Sequence, residues 1–272
     1  MKRVASRENA HFRRLWRLAH VGKERRGSGQ MLLDGAHLIE AYTAVFGPAD
    51  LQLVVRSSGA GAALAGYPAS LDSIVLADAL FDEIAPVETP TGLLGVAPIP
   101  TSPVATAEAE RPGFSVFLDG IQDPGNLGAV LRSAAAAGAW AAFLSAQCAD
   151  PWSPKCLRGG MGAHFYLRMH DRVDLPEAAR GFHGRLLAAD SHGGRCLFEA
   201  DVGGDIGFIL GGEGQGISAP MLALAAERVH IPMAHGVESL NIAAAATLLF
   251  YEWRRHRAPE PNLITRTRRA PA

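Results

Sequence analysis

The second half of the chain alternates short, almost wholly apolar segments with alanine-rich ones, and this alternation limits the fold more than any other feature. The apolar segments have the length of strands: Phe114–Leu118, Ala141–Leu144, Arg185–Ala189, Phe208–Leu210 and Val229–Ile231. Strands without a polar face belong to parallel sheets that are covered on both sides. The segment Ile242–Trp253 predicts a closing helix. The sequence therefore predicts a mostly parallel α/β domain over residues 113–257.

The first half predicts a second, smaller α/β domain over residues 1–100. Phe12, Leu15 and Trp16 recur at helical spacing between arginines, which indicates an amphipathic helix from Asn9 to about Val21. Further strands and helices alternate after it, namely Met31–Leu33, Ala36–Phe46, Leu51–Val55, Ser73–Leu76, Ala77–Ile84 and Gly92–Ala97. Residues 101–112 lack apolar periodicity and are predicted to be a linker.

Composition narrows the class of protein. A chain of 272 residues with 48% apolar side chains can bury two cores. Its three cysteines form no CxxC pair and are odd in number, which favours neither a zinc site nor a disulfide framework. We find no signal peptide and no apolar run of the roughly 18 residues that span a bilayer. We therefore expect a reduced, cytoplasmic protein that does not contact a membrane.

Charge is distributed unevenly along the chain. The net charge is −1, but residues 1–26 carry +7 and residues 254–272 carry +5, so the middle carries −13. Basic ends suit contacts with nucleic-acid phosphates, and Arg13 and Arg25 are candidates for such contacts. The alternative is that these charges are only solvated helix faces and, at residues 258–272, a basic tail.

The first polar motif follows strand Phe114–Leu118. A turn-rich loop leads to Asn126, which stands where a helix N-cap is expected, and Arg132 is the only charged residue between Leu127 and Ala137. A helix this apolar is predicted to be buried or to lie in an interface, where a guanidinium needs a partner. Capping for Asn126 and a structural ion pair for Arg132 remain the alternatives to a functional role.

Two further motifs follow later strands. Gly211–Gly216 is glycine-rich and contains Glu213, but its spacing departs from G-x-G-x-x-G because position 217 is Ile, so a dinucleotide site is not supported. Ile231-Pro232-Met233 ends a strand, and Ser239-Leu240-Asn241 opens the final helix, where Ser239 is a possible N-cap. A plain turn with a solvated Glu213 is the alternative for the glycine loop.

Together, the three motifs resemble those of the SpoU/TrmH family of ribose 2′-O-methyltransferases, which are knotted enzymes of the SPOUT class. The resemblance implies a C-terminal SPOUT domain with a deep trefoil knot, preceded by an RNA-binding domain similar to ribosomal protein L30e. It also implies S-adenosylmethionine as the methyl donor and a homodimer formed through the C-terminal domain. The chain departs from the family at Asp34 (usually Glu), Gly160 (usually Ser) and Ala243 (often a second Ser).

The resemblance also assigns roles to residues. The catalytic group is Asn126, Arg132, Glu213, Ser239 and Asn241. The cofactor site is Ala189, Gly211, Gly212, Ile231, Met233 and Leu240. Lys155 and Arg158 match a family stretch, and we hypothesise that they contact RNA phosphates; a solvated basic turn is the alternative.

The implied reaction is attack of a ribose 2′-hydroxyl on a sulfonium methyl group. An arginine stays protonated, with a pKa above about 12, so we interpret Arg132 as stabilising the nascent alkoxide while a phosphate or water takes the proton. No metal is required, because the sulfonium already carries the activation. We expect 23S ribosomal RNA as the substrate. The alternatives are tRNA, or a non-catalytic RNA-binding protein on the same scaffold.

Overall fold

The computed structural model describes residues 1–85, 87, 90–101, 113–191 and 193–257, which form two sheets. Most of the predicted linker (residues 102–112) and all of the predicted basic tail (258–272) lie outside the described residues. In the part of the chain that is described, no helix has both the length and the apolar character needed to cross a membrane.

The smaller sheet is built from residues 2–98 and is mixed. Its strands are β1 (Lys2–Val4), β2 (Gln30–Asp34), β3 (Gln52–Arg56), β4 (Asp72–Leu76) and β5 (Leu93–Pro98). They lie in the order β1-β4-β3-β5-β2, with β5 antiparallel to both of its neighbours and the other pairs parallel. The helices of this half are α1 (Ala10–His20), α2 (Gly22–Ser28), α3 (Gly35–Phe46), α4 (Ala60–Leu64) and α5 (Asp78–Ile84).

Helix α1 confirms the predicted amphipathic helix. The side chain of Asn9 caps it by accepting the N–H of His11 at 2.9 Å. Phe12 and Leu15 are buried as expected, whereas Trp16 is 42% exposed. Strand β1 and helix α2 were not predicted, because three residues and a polar seven-residue segment are too short to show apolar periodicity.

The larger sheet confirms the predicted parallel α/β half. Its strands are β6 (Ser115–Asp119), β7 (Ala141–Ser145), β8 (Arg168–Val173), β9 (Arg185–Ala189), β10 (Arg195–Cys196), β11 (Ile206–Gly211) and β12 (Glu227–His230). They lie in the order β10-β12-β9-β11-β6-β7-β8, and every pair is parallel. The two edge strands, β8 and β10, were not predicted, because β8 is rich in polar residues and β10 has only two residues.

Helices cover both faces of the larger sheet. They are α6 (Pro124–Ala137), α7 (Pro154–Gly160), α8 (Leu175–Arg180), α9 (Ala219–Leu224) and α10 (Ile242–Arg255). One face is packed by α6 and α10, and the other by α8 and α9. The chain runs from β6 outward to β7 and β8, and the later strands lie on the opposite side of β6. The strand order therefore switches direction between β6 and β11, where ligands of parallel sheets bind at the carboxyl ends.

The two halves share one apolar cluster. Tyr42 and Phe46 on α3 pack edge-on against Phe165, which follows α7, with ring centroids 5.5 and 6.0 Å apart. The same cluster includes Trp152 and Leu157 of the second half. A division at residues 100 and 113 remains a prediction, but separating the halves would expose this cluster to water.

His164 lies in the same contact region and explains one departure from the family pattern. Its imidazole is 1% exposed, and its Nε2 lies 3.6 Å from Sγ of Cys156. A Cβ on Gly160 would come within 2.4 Å of this ring, so the histidine fills the space that a serine at 160 would need. Burial lowers the pKa of His164 to about 4.

The buried imidazole predicts a pH-dependent stability. The unfolded chain binds a proton at His164 below pH 6.5 and the folded chain only below about 4, so stability falls as the pH drops through this window. The free energy of unfolding at pH 4 should be lower than that at neutral pH by roughly 3 kcal/mol, measured by urea unfolding at several pH values. His164→Gln should reduce this loss, whereas exposed His235→Gln should not. An equal decline in His164→Gln and the wild type would contradict the assignment.

Candidate active site

Three polar side chains from distant parts of the chain form one hydrogen-bonded cluster. Asn126 Nδ2 donates to Glu213 Oε1 at 2.8 Å, and Asn241 Nδ2 donates to Asn126 Oδ1 at 3.0 Å. The Asn241 amide also lies 3.4 Å from the same Glu213 oxygen. The structure therefore brings together three of the five predicted catalytic residues. The carboxylate fixes both amides, because it can only accept and each amide nitrogen donates to it.

Helix termini hold the two asparagines in place. Helix α6 begins at Pro124, and the Asp123 carboxylate caps it by accepting the N–H of Asn126 at 2.8 Å. Asn241 caps α10 through the N–H of Ala243 at 3.0 Å. The prediction that Asn126 is an N-cap is therefore wrong, and so is the possibility that Ser239 caps the last helix. Asn126 lies one turn inside its helix, so its side chain is free to bond across to Glu213.

The glycines around Glu213 allow backbone to pack on backbone. A Cβ at Gly211 would lie 2.1 Å from the carbonyl carbon of Gly216, and one at Gly212 would lie 2.1 Å from the Gly120 oxygen. The Gly212 N–H donates to the Asp119 carbonyl at 2.9 Å, which ties the loop to the end of β6. The closest approach at these two glycines is therefore to the protein's own backbone. The contact of Gly211 and Gly212 with the cofactor stays a prediction.

Arg132 differs from the prediction in its surroundings. The helix is buried on the side of Leu127, Val130 and Leu131, but Arg132 itself is exposed. Within the described residues its guanidinium has no ion pair or hydrogen bond. The structural ion pair, which was the alternative to a functional role, is therefore absent among the described residues, and Arg132 is exposed in this chain. The location of this helix in an interface stays a prediction. This guanidinium is free to bind an anion.

The predicted cofactor residues lie at or after the carboxyl ends of β9, β11 and β12. Ala189 ends β9 beside Val229 of β12, and β9 also pairs with β11, which ends at Gly211. Ile231 follows β12, and both Ala189 and Ile231 pack partly buried against the main core. Met233 is half-buried and Leu240 is 38% exposed, in a segment without regular structure between β12 and α10.

The predicted RNA contacts separate into exposed and buried groups. Lys155 is exposed and pairs with Asp123 at 2.9 Å, and Arg13 is also exposed. Arg25, in contrast, is 4% exposed, bonds Asp150 at 2.6 Å and donates to the Leu18 carbonyl. The prediction that Arg25 binds RNA is therefore contradicted: its donors are satisfied inside the protein.

Arg158 joins the two halves of the chain. Its guanidinium lies 3.4 Å from the Asp34 carboxylate at the end of β2. Desolvation of Asp34 raises the pKa of its carboxyl group, and the nearby guanidinium opposes that shift. Since the Arg158 side chain remains 45% exposed, a phosphate contact on its open side stays a prediction.

A cleft of about 1150 Å³ opens at the carboxyl ends of β6, β7, β8 and β11. Asn126 and Glu213 form part of its wall, so the cleft opens directly onto the hydrogen-bonded cluster. It also contains Arg172, which the sequence analysis missed. Arg172 has a φ of 56°, in the left-handed region that few non-glycine residues adopt. Nothing in the sequence around it signals this conformation.

Comparison with known proteins decides the family. Residues 113–251, about half of the chain, match the SpoU rRNA Methylase family. The chain belongs to this family. Its membership confirms the predicted resemblance, the prediction that the chain is an enzyme and the prediction that RNA is its substrate. The matched residues include Asn126, Arg132, Glu213 and Asn241.

Individual relatives agree with this assignment. The chain is 33% identical over 258 residues to an uncharacterised tRNA/rRNA methyltransferase of Synechocystis, covering 93% of each chain. It is 29% identical over 262 residues to the Bacillus subtilis 23S rRNA (guanosine(2553)-2′-O)-methyltransferase RlmP, covering 93% of this chain and 100% of RlmP. Both matches extend across the smaller sheet as well as the larger one.

A solved relative carries the cofactor. The SpoU methyltransferase AviRb of Streptomyces viridochromogenes, crystallised with S-adenosylmethionine, superposes with a TM-score of 0.77 at 27% identity, covering 91% of this chain and 98% of that one. Together with family membership, it confirms the prediction that S-adenosylmethionine is the methyl donor.

Proposed function

We propose that this protein transfers a methyl group from S-adenosylmethionine to a ribose 2′-hydroxyl of 23S ribosomal RNA. The observation that carries the proposal is the hydrogen-bonded cluster of Asn126, Glu213 and Asn241, inside the region that matches the family. The rRNA preference is supported by the similarity to RlmP along the whole of that relative. A cytoplasmic location is also proposed, on the similarity to the bacterial RlmP. The alternative substrate is tRNA.

The carboxyl ends of β9, β11 and β12 fit the cofactor. Ala189 and Ile231 offer partly buried apolar surface there, and the irregular segment after β12 offers free backbone groups beside Met233 and Leu240. S-adenosylmethionine supplies an electrophilic methyl group when bound. In the family this segment is threaded as a deep trefoil knot, and we propose the same topology for the C-terminal domain, residues 113–257.

The cluster orients the ribose. Glu213 accepts from both amides. The Asn126 amide keeps one further N–H for a ligand oxygen, whereas the two N–H groups of Asn241 point to Asn126 and Glu213 and hold that amide in place. We assign to Asn126 and Asn241 the positioning of the ribose hydroxyls, and to Ser239 a contact at the rim. Negative charge develops on the 2′-oxygen during attack, and Arg132 stabilises this charge and the adjoining phosphate. The proton leaves to that phosphate or to water.

The smaller sheet with α1 is proposed to be the RNA-binding half, similar to ribosomal protein L30e. The outer side of α1 carries Arg13 and Arg17, which are 59% and 52% exposed. Exposed arginines on one helix face suit a phosphate backbone. The shared cluster with the catalytic half then fixes the distance between the RNA-binding surface and the site.

Site mapping tests the function. 2′-O-methyl positions in total RNA from a deletion strain and from its complemented parent should differ at one position in 23S rRNA. Incubating the purified protein and S-adenosylmethionine with unmodified 23S transcript should restore that methyl group. Loss of a methyl group from tRNA alone would replace the rRNA assignment, and an unchanged map would contradict the function.

Replacing Arg132 tests its role. Arg132→Ala should lower kcat by about 100-fold or more, since it removes stabilisation of the developing charge, while the Kd for S-adenosylmethionine stays unchanged. The folded state should keep its stability, because Arg132 has no partner in the described chain. Arg132→Lys retains the charge and should recover part of the rate. Turnover of Arg132→Ala within a few-fold of the wild type would contradict the assignment.

The homodimer is proposed to form through α6 and α10. The outer side of α10 carries Leu248 at 40% and Tyr251 at 48% exposure, and the neighbouring α6, which bonds α10 through Ser133 and Thr247, carries the exposed Arg132. Burying this face would remove apolar surface from water and place Arg132 at the interface. Sedimentation should show a dimer for the wild type and a shift to monomer for Leu248→Glu. Phe198→Glu, a change at an equally exposed apolar site outside these helices, should remain dimeric.

A further inference from the structure

Arg172 lies in a local irregularity of the sheet that faces the cleft. Between the pairs Phe143–His170 and Ser145–Val173, β7 advances by two residues and β8 by three, so β8 carries an extra residue. Such bulges redirect side chains and often lie beside functional sites. The left-handed φ of 56° at Arg172 is a backbone conformation that is unfavourable for a residue with a Cβ and that glycine adopts freely.

The Arg172 guanidinium is held by a backbone carbonyl and keeps free donors, with the Asp171 carboxylate near enough to interact with its charge. Its Nη1 donates to the Ala146 carbonyl at 3.1 Å, which fixes the side chain across the ends of β7 and β8. No carboxylate forms an ion pair with it within the described residues. It is also the only cationic side chain that lines the cleft, again among the residues described. An exposed arginine with free donors is a site for a phosphate.

The interior of the cleft has the opposite character. Asp119, Asp123, Asp174 and Glu213 line it, and each accepts a hydrogen bond from the protein. These carboxylates would repel a phosphate placed deep in the cleft. They suit a neutral group with N–H donors, such as the edge of a nucleobase.

Two side-chain amides complete this lining. Gln122 and Gln147 are exposed in the cleft, and neither side chain bonds another described residue. An amide can both donate to and accept from a base edge. The cleft of about 1150 Å³ is at least as large as an ordinary small-molecule site of roughly 300–1,000 Å³.

We propose that the cleft holds the nucleotide to be methylated, with its base between Gln122 and Gln147 and its neighbouring phosphate on Arg172. The ribose then faces Asn126 and Glu213, which are bonded to each other and form part of the cleft wall. Because ribosomal RNA pairs and stacks its bases, the target base leaves its helix to enter. This inference rests on the proposed function and adds to it the place of the base and of one phosphate.

Arg172→Gly is the decisive variant. Glycine adopts a positive φ freely, so this change removes the guanidinium without straining the fold. With S-adenosylhomocysteine bound to prevent turnover, the Kd of the full-length protein for unmodified 23S transcript should rise roughly ten-fold or more in filter binding. The slope of log K against log salt should decrease by about 1, because one phosphate contact is lost. The Kd for S-adenosylmethionine by calorimetry should not change.

Two further variants separate the roles. Gln147→Ala should weaken RNA binding about two- to ten-fold and leave the salt slope unchanged, because a bond to a base releases no counterion. Arg180→Ala removes an equal exposed charge outside the cleft and should change neither quantity.

Either of two results would overturn the inference. One is an Arg172→Gly protein that binds RNA with the Kd and salt slope of the wild type. The other is a loss of affinity for S-adenosylmethionine in Arg172→Gly or Gln147→Ala, which would make the cleft part of the cofactor site. Failure of the proposed function would appear in a different experiment, as an unchanged map of 2′-O-methyl positions in RNA from the deletion strain. The binding measurements do not depend on methyl transfer.

Discussion

The parallel pairing of β6 with β11 is the contact on which the site depends. It places the loop that begins at Asp119 against the loop that begins at Gly211, at the carboxyl end of the sheet. The Gly212 N–H bonds the Asp119 carbonyl, and the Asp119 carboxylate accepts the N–H of Ser218, so the two loops are fixed to each other. Backbone lies so close to backbone here that no Cβ fits at Gly211 or Gly212. Gly211 and Gly212 are therefore required for the packing of these two loops, whether or not they also contact a ligand.

Glu213 projects from that junction and connects the other elements. Its carboxylate accepts from an amide on α6 and from another at the start of α10. Because α6 and α10 also pack in one apolar core, which contains Leu131 and Leu249, the hydrogen-bonded cluster is held by core packing as well. Rigid helices and strands therefore hold the side chains that would contact the ribose. A preorganised site of this kind needs little rearrangement when charge develops.

The two halves of the chain pack against each other through apolar and ionic contacts. Phe165 of the catalytic half packs against the aromatic rings of α3. The buried Arg25–Asp150 pair joins α2 to the loop before α7. Removing either partner would leave an uncompensated buried charge. An RNA bound to the arginines of α1 would thus be held at a set distance from the cluster. His164, whose ring lies against Gly160 and 5.7 Å from that of Trp152, belongs to the same junction.

The sequence by itself determined the fold class, because buried strands leave a local apolar pattern that predicts the parallel sheet. The resemblance of its motifs to those of the family predicted that Asn126, Glu213 and Asn241 belong to one site. Only the tertiary structure decided what each residue contacts. It buried Arg25, left Arg132 exposed, moved the helix cap to Asp123 and placed Arg172 in a left-handed bulge. The burial of Arg25 depends on Asp150, which lies 125 residues away, and the bulge at Arg172 depends on the register of β8 against β7. No pattern local to either arginine encodes these contacts.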